Sequence, residues 1–571
     1  MLLKSLIFFT FVQISLLLPS YSILRLFKTI HKNDAVLICL SYVLSLVLFS
    51  VISIFSYVYK LDHQFLHFAG WAYILTGITV FILKKYYLEM KKFIVPISAL
   101  VALSLVSLFF IGLNFTSNVN YIPDPEPISN SNYNVLSVKV LNVSHTNAND
   151  NYVPFRQAQF IINRLDPATS SFIDEWGVHF FQRTPLMGAV SAFYFDLFMS
   201  KPPIDYLWRT SATDPSNTYL QFQIIATILN SLLLIPAYYL IKKLFNSKTA
   251  YISLLFLASS HFFLYNSFYT WPKSLVAFFI LFSWYLLLEN KLRFTILAGI
   301  VSAAAYLTHD LAFLYIVASL FMLLYKKRFR DIVIVLGITV FSALPWLITS
   351  SVIFKKASTF YLYPISVENI PQPGREKEIM SKFFKTSIWE LFMIRIRTLT
   401  YLLTPYSILD IKPLALSNRL WGVGIYSITG ALGLGLIIPA IIGLIKNIKR
   451  YPVFILIFTP IMLIAIIFGW SYPGSIGAIH FAQPIIVILV GCGVWYLLGL
   501  KSKTWILVIF FINLIYCLYI MIYSYDFAVK GWFYTPKSII SLLSIFFIFV
   551  TMSLILWRYL AIKFVNRSGT I

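Results

Sequence analysis

Acidic side chains are scarce in this chain: 21 Asp and Glu stand against 45 Lys and Arg in 571 residues, and the four types together make up only 12%. So little charge, with 59% hydrophobic residues and a mean hydropathy of +0.81, excludes a soluble globular domain. Cysteine is scarcer still. Cys39, Cys492 and Cys517 all fall inside apolar runs, where they read as small buried hydrophobes; a disulfide framework and a thiolate metal site are excluded. No internal repeat or low-complexity linker is visible. The polar stretches also lack the alternating pattern that a separate β-rich catalytic domain requires.

What the chain has instead is long apolar runs. Each run of about twenty residues is long enough to cross a hydrocarbon core of roughly 30 Å. Lipid offers no partner for backbone N–H and C=O groups, so such runs must be helices. The expectation is an all-α polytopic membrane protein. Residues 6–18 have the length of a signal-peptide core, but Ser20 and Ser22 make a weak cleavage site and apolar character continues to Phe27, so the run reads as a retained span. The formal net charge of +24 would suggest nucleic acid in a soluble protein. Here Lys and Arg sit in short connections that orient spans and face anionic headgroups, and no nucleic-acid partner is needed.

Placing the basic connections 25–32, 84–92, 242–248, 326–330, 446–450 and 501–503 on the cytoplasmic side gives one consistent alternation. It predicts about fifteen transmembrane helices, an external N-terminus and a cytoplasmic C-terminus. Two apolar segments do not fit as spans: Pro185–Met199 carries Asp196, and Ser387–Leu409 carries Glu390, Arg395 and Arg397. Charges inside a span cost a few kcal/mol each. Both segments are therefore expected to lie as interfacial helices, the first with its aromatic residues at headgroup depth. The chain then divides into an N-terminal four-helix region (1–114), an external loop with an interfacial helix (115–221), central helices (222–351), a second external loop with an interfacial helix (352–420) and C-terminal helices (421–571).

Nine of the 21 acidic residues lie in the first of these loops: Asp124, Glu126, Asp150, Asp166, Asp174, Glu175, Asp196, Asp205 and Asp214. A membrane protein that gathers its carboxylates on one side is expected to do its chemistry there. The topology also brings Arg156, Arg183, Lys273, His309 and Asp310 to that face. Cations there suit a phosphate-bearing lipid, and a carboxylate suits proton removal. Duller roles stay open. Lys273 can snorkel beside Trp271, Arg183 can pair with Asp174 or Glu175, and His309–Asp310 can cap a tight turn. Asp150 stands among turn-forming residues before Pro154, placed either to project as a reactive carboxylate or to cap the helix carrying Arg156.

At these residues a resemblance emerges. Asp150-Asn151-Tyr152, followed by Arg156 and apolar Phe160-Ile161-Ile162, resembles the first-external-loop signature of GT-C superfamily membrane glycosyltransferases. That superfamily includes the protein mannosyltransferase, aminoarabinose transferase and oligosaccharyltransferase groups. Arg183-Thr184-Pro185-Leu186 is similar to an element further along the same loop in the mannosyltransferase and aminoarabinose branch. The stretches Tyr269-Thr270-Trp271-Pro272-Lys273 and Leu307-Thr308-His309-Asp310 also look like elements of this superfamily. The family's usual Asp-Glu pair is here Asp150-Asn151, four spans precede the loop, and no WWDYG-like run is present.

The resemblance implies a polyprenyl-phosphate-linked sugar donor entering laterally between helices, and an acceptor (glycan, lipid or protein) from the aqueous side. Asp150 would be the general base, giving inversion. Arg183, Lys273 and His309 would bind the donor phosphate, with Arg156, Asp174, Glu175 and Asp310 as further candidates. The resemblance fixes no cofactor; a divalent metal stays open, without support from a two-carboxylate motif. A lipid or polysaccharide transporter or flippase is the main competing reading, and a polysaccharide polymerase or ligase of different fold is another. A transporter places polar residues at mid-membrane, whereas here they crowd one face. The expected location is a bacterial inner membrane with the active face external.

Overall fold

The computed structural model describes residues 2–27, 33–113, 117–121, 136–140, 153–165, 184–201, 218–268, 270–353, 359–367, 375–404, 427–449, 451–468, 481–502 and 504–528. Four helices open the chain: α1 (Leu2–Leu26), α2 (Asp34–Tyr59), α3 (His63–Leu83) and, after a 3₁₀ turn at Tyr86–Phe93, α4 (Ile94–Leu113). Their starts follow from local chemistry. Asn33 accepts from the Val36 amide at 3.2 Å and Asp62 from the Gln64 amide at 3.0 Å, each satisfying a donor that the first turn leaves open.

A short antiparallel pair, β1 (Ser117–Tyr121) and β2 (Leu136–Val140), follows, with Ser117 opposite Val140 and Tyr121 opposite Leu136. Helices then resume as α5 (Val153–Asn163), α6 (Leu186–Leu197), α7 (Thr218–Ser231), α8 (Leu234–Leu244), α9 (Ser247–Ala258) and α10 (His261–Phe268). The central group continues with α11 (Lys273–Leu288), α12 (Leu292–Thr308), α13 (Phe313–Tyr325) and α14 (Phe329–Ile348). Last come α15 (Glu376–Lys385), α16 (Ile388–Leu403), α17 (Ile428–Leu432), α18 (Ile437–Asn447), α19 (Tyr451–Ile467), α20 (Gln483–Gly499) and α21 (Thr504–Ala528).

Six described helical stretches are long and apolar enough to cross a membrane, or seven if the pair Ile437–Asn447 and Pro452–Ile467, bent by 119°, is one broken span. With the shorter apolar helices, they make this a polytopic helical membrane protein. Burial sorts the stretches. Thr218–Leu244 has 94% of its apolar window buried and runs through the middle, whereas Phe329–Ser351 has 17% and lies at the periphery. Exposed Val333, Phe341, Phe65 and Phe68 face outward from α14 and α3, as lipid-contacting side chains do.

Close helix contacts use glycine. A Cβ on Gly77 of α3 would stand 2.4 Å from Pro19 Cα of α1, and one on Gly443 of α18 would stand 2.1 Å from the Cys492 carbonyl oxygen of α20. Helix breaks depart from the simplest reading of the apolar runs. The apolar run over 250–266 is interrupted at Ser259–Ser260. The stretch over 423–445 breaks after Leu432, where Gly433 turns with φ +75. There the Asn513 side chain takes over backbone bonding: its oxygen accepts from the Gly435 amide at 2.7 Å and its nitrogen donates to the Leu432 carbonyl at 3.0 Å.

The segment expected as an interfacial helix at Pro185–Met199 does form α6, but protein surrounds it. All twelve residues of α6 are buried. Phe193 stacks on Phe49 of α2 with centroids 4.0 Å apart, and the Tyr194 and Ser15 hydroxyls lie 2.7 Å apart. Aromatic rings expected at headgroup depth therefore fill the space between α1, α2 and α5. Helix α16 is exposed along one side. Its exposed Ile388, Trp389 and Phe392 form an apolar face, while the Thr398 hydroxyl donates to the Phe468 carbonyl at 2.9 Å.

Candidate functional site

Lys273 is the first residue of α11, behind a bend in which Thr270 takes the left-handed conformation at φ 47 and Pro272 precedes the helix. A helix N-terminus carries partial positive charge, so a cation there is disfavoured. Lys273 is nonetheless only 3% exposed. Two ring faces hold it: its Nζ lies 3.0 Å from the Trp271 centroid and 4.3 Å from that of Phe481. Cation–π attraction of about 0.5–2 kcal/mol per ring offsets part of the cost of burial. A buried ammonium and an adjacent helix N-terminus both favour a negative ligand.

His309 meets the same aromatic ring edge to face. It ends α12 in an extended conformation (φ −163), and its imidazole centroid lies 4.7 Å from the Phe481 centroid. Its Nδ1 is 2.7 Å from Asp310 Oδ1, and the Leu311 amide lies 3.3 Å from Nδ1 and 2.9 Å from Oδ1. Nδ1 cannot accept from Leu311 while donating to Asp310. The shorter contacts decide it: Nδ1–H donates to Asp310 and Leu311 donates to the same carboxylate, an arrangement that a cationic imidazole protonated on both nitrogens also satisfies. The pair thus caps the turn before α13 and orients the imidazole at once. Phe481 is itself held in place, because its carbonyl accepts a hydrogen bond from the buried Tyr315 hydroxyl.

The structure therefore brings together Lys273, His309 and Asp310 from the residues singled out in the sequence. Arg156 sits on α5, buried to 5%, and its Nη1 donates to Gln159 Oε1 at 2.9 Å. Asp150, Arg183, Asp174 and Glu175 lie outside the described residues, as does the expected approach of Arg183 to Lys273. Phe481 was missed by sequence reasoning, since one aromatic residue before Gln483-Pro484 looks like any other helix entry. Among the described residues no group of three or more His, Cys, Asp or Glu is placed to hold a metal ion.

Asp196 also acquires a partner that its sequence context did not reveal. Its Oδ1 lies 2.5 Å from His63 Nδ1, at the start of α3. Burial raises the carboxyl above its ordinary range, while the hydrogen bond and charge of His63 and the charges of Arg164 and Lys201 pull it back.

Residues 204–352 match the family model of dolichyl-phosphate-mannose-protein mannosyltransferases. That interval contains Lys273, His309 and Asp310. The match supports the resemblance that the sequence bears to GT-C superfamily membrane glycosyltransferases. No curated protein matches the chain by sequence. Similar solved structures include ArnT from Cupriavidus metallidurans in the apo state, at 13% identity and a TM-score of 0.40, over 72% of this chain and 60% of that one. In that match the chain spans less than two thirds of the other's length. The same protein bound to undecaprenyl phosphate matches at 13% identity and a TM-score of 0.42, over 82% of this chain and 72% of that one. An Archaeoglobus fulgidus oligosaccharyltransferase in complex with zinc and sulfate matches at 14% identity and a TM-score of 0.37, over 75% of this chain and 52% of that one.

Proposed function

We propose that this protein is an integral-membrane glycosyltransferase that moves a sugar from a polyprenyl-phosphate-linked donor to an acceptor at the external face of a bacterial inner membrane. The observation that carries the reading is the buried Lys273 ammonium at the N-terminus of α11, clamped by Trp271 and Phe481 and flanked by His309. It lies inside the stretch that matches a family named for a lipid-phosphate sugar donor. In this reading Lys273, His309 and Arg183 stabilise the phosphate as it departs, an electrostatic role that gains strength where water is excluded. The prenyl chain lies against apolar helix faces, at about 0.8 kcal/mol per buried methylene. Asp150 removes the proton from the acceptor hydroxyl and the anomeric centre inverts. The finer topology, about fifteen spans with two external loops over 115–221 and 352–420, belongs to the same proposal.

The test is transfer from a radiolabelled lipid-linked sugar by the purified protein. Asp150→Asn keeps the shape and removes the base, so transfer should fall about 10²- to 10⁴-fold while donor binding persists. Near-normal transfer by Asp150→Asn, with loss in Asp174→Asn or Glu175→Gln, would move the base further along the loop.

A further inference from the structure

A second basic cluster lies where the ends of α3, α5 and α6 meet. Arg164 follows the last turn of α5 in the left-handed conformation, at φ 51. Its neighbour Leu165 is tied to the end of α2, because the Tyr57 hydroxyl donates to the Leu165 carbonyl at 2.7 Å. Two guanidinium nitrogens of Arg164, Nε and Nη2, are buried with no hydrogen-bond partner among the described residues. His63 contributes an imidazole whose side chain is 25% exposed and whose Nδ1 is held by Asp196. His67, one turn further along α3, has a buried Nδ1 without a hydrogen-bond partner among the described residues. Lys201 stands exposed just beyond α6. Tyr57, which holds Leu165, lies in the last turn of α2, three residues separate α2 from His63, His63 contacts Asp196, and Lys201 follows Asp196 by five positions, so the cations and the imidazole share one locality.

Among the described residues here, Lys60, Arg164 and Lys201 outnumber the carboxylates of Asp62 and Asp196, before either imidazole is counted, so the locality is net positive. Buried guanidinium nitrogens without a partner are costly, and charge-assisted bonds to an anion with several oxygens are the direct way to satisfy them. The surroundings say what carries that anion. Phe8, Phe11, Trp71 and Phe198 pack edge-on and tilted beside the cluster, with centroids 5.2–6.0 Å apart, and the Trp71 indole donates to the Leu197 carbonyl at 3.1 Å. Exposed Leu3, Ile7, Phe65 and Phe68 extend this wall outward from α1 and α3. Basic groups at one end of an apolar, aromatic wall are the pattern for a headgroup above a hydrocarbon tail.

We propose that Arg164, Lys201, His63 and His67 form a binding site for the phosphate headgroup of one anionic lipid, separate from the Lys273 site and seated against the Phe8–Phe11–Trp71–Phe198 wall. Each phosphate oxygen facing Arg164 satisfies a nitrogen that is otherwise orphaned, and Lys201 closes the site from the aqueous side. The site does not depend on the glycosyltransferase reading.

Native mass spectrometry of the delipidated full-length protein tests it, with dioleoylphosphatidate as probe and dioleoylphosphatidylcholine as control. One phosphatidate should bind preferentially, and binding should weaken about tenfold or more in Arg164→Gln and in Lys201→Gln. Arg164→Gln should melt no lower than the parent, since it removes an unsatisfied buried charge. Lys201 is exposed, so Lys201→Gln stays informative should the other variant fold poorly. Lys501→Gln, which removes an exposed cation elsewhere, should leave phosphatidate binding unchanged. Undiminished binding in Lys201→Gln, or equal loss in Lys501→Gln, would overturn the site. Displacement of the lipid by millimolar inorganic phosphate would overturn the lipid assignment and make this a site for free anions.

Discussion

Lys273→Met separates the binding role of the lysine from its packing role. Methionine keeps the unbranched stem between Trp271 and Phe481 and removes the charge. The two ring contacts, at 3.0 and 4.3 Å, lose their cation–π attraction, about 0.5–2 kcal/mol each. Two gains oppose that loss. Sulfur against aromatic rings returns about 0.3–1.5 kcal/mol, and removing a cation from a helix N-terminus returns about 0.3–1 kcal/mol. Thermal stability should therefore change little. A hydrogen bond to a charged partner contributes about 1.5–3 kcal/mol, so affinity for undecaprenyl phosphate should fall about 10- to 150-fold. Lys273→Arg should recover much of it, because a guanidinium also grips phosphate. Binding to the protein in nanodiscs, measured beside a melting curve, reads both quantities. Unchanged affinity in Lys273→Met would refute the anion-site argument, and a large fall in melting temperature with affinity intact would assign the lysine to packing alone.

Four other outcomes follow from the sequence and structure. Arg183→Ala should reduce donor affinity more than Lys273→Ala, since a guanidinium contacts two phosphate oxygens at once, and the reverse order in the same assay would remove Arg183 from the site. Gly443→Ala puts a methyl 2.1 Å from the Cys492 carbonyl oxygen, so α18 and α20 must separate and stability should drop by about 1–3 kcal/mol, read as a lower melting temperature. Because the three native cysteines are buried, single cysteines at Asn130 and Lys248 report topology: an impermeant maleimide should label the first from outside and the second only after permeabilisation, and equal outside labelling would sink the alternation. Arg375 and Lys382 hold Glu378 down at about pKa 2. The folded value is the depressed one, so the contribution to helix α15 is complete above the ordinary carboxylate range and is lost as pH falls toward 2. A carboxyl NMR titration with its midpoint near 4.5 would contradict the pairing.

The helices were legible from the sequence because the signal is local. An apolar run of sufficient length has no other way to satisfy its backbone in lipid, and α1, α2 and α3 begin and end within a few residues of the runs that announce them. Lys273 and His309 were legible for a related reason: a charged or titratable group at the end of an apolar run is rare enough to be noticed. What occupies the space around those groups depends on residues far away in the chain, and no pattern within either run specifies it. Phe481 joins Lys273 to His309 across more than 170 positions. Asp196, which looked like a charge keeping its segment out of the membrane, is paired with His63. The rings of α6 looked like headgroup anchors and proved to be packing against α2. Hydrophobicity determined that these segments would be buried, and only tertiary packing decided whether lipid or protein would cover them.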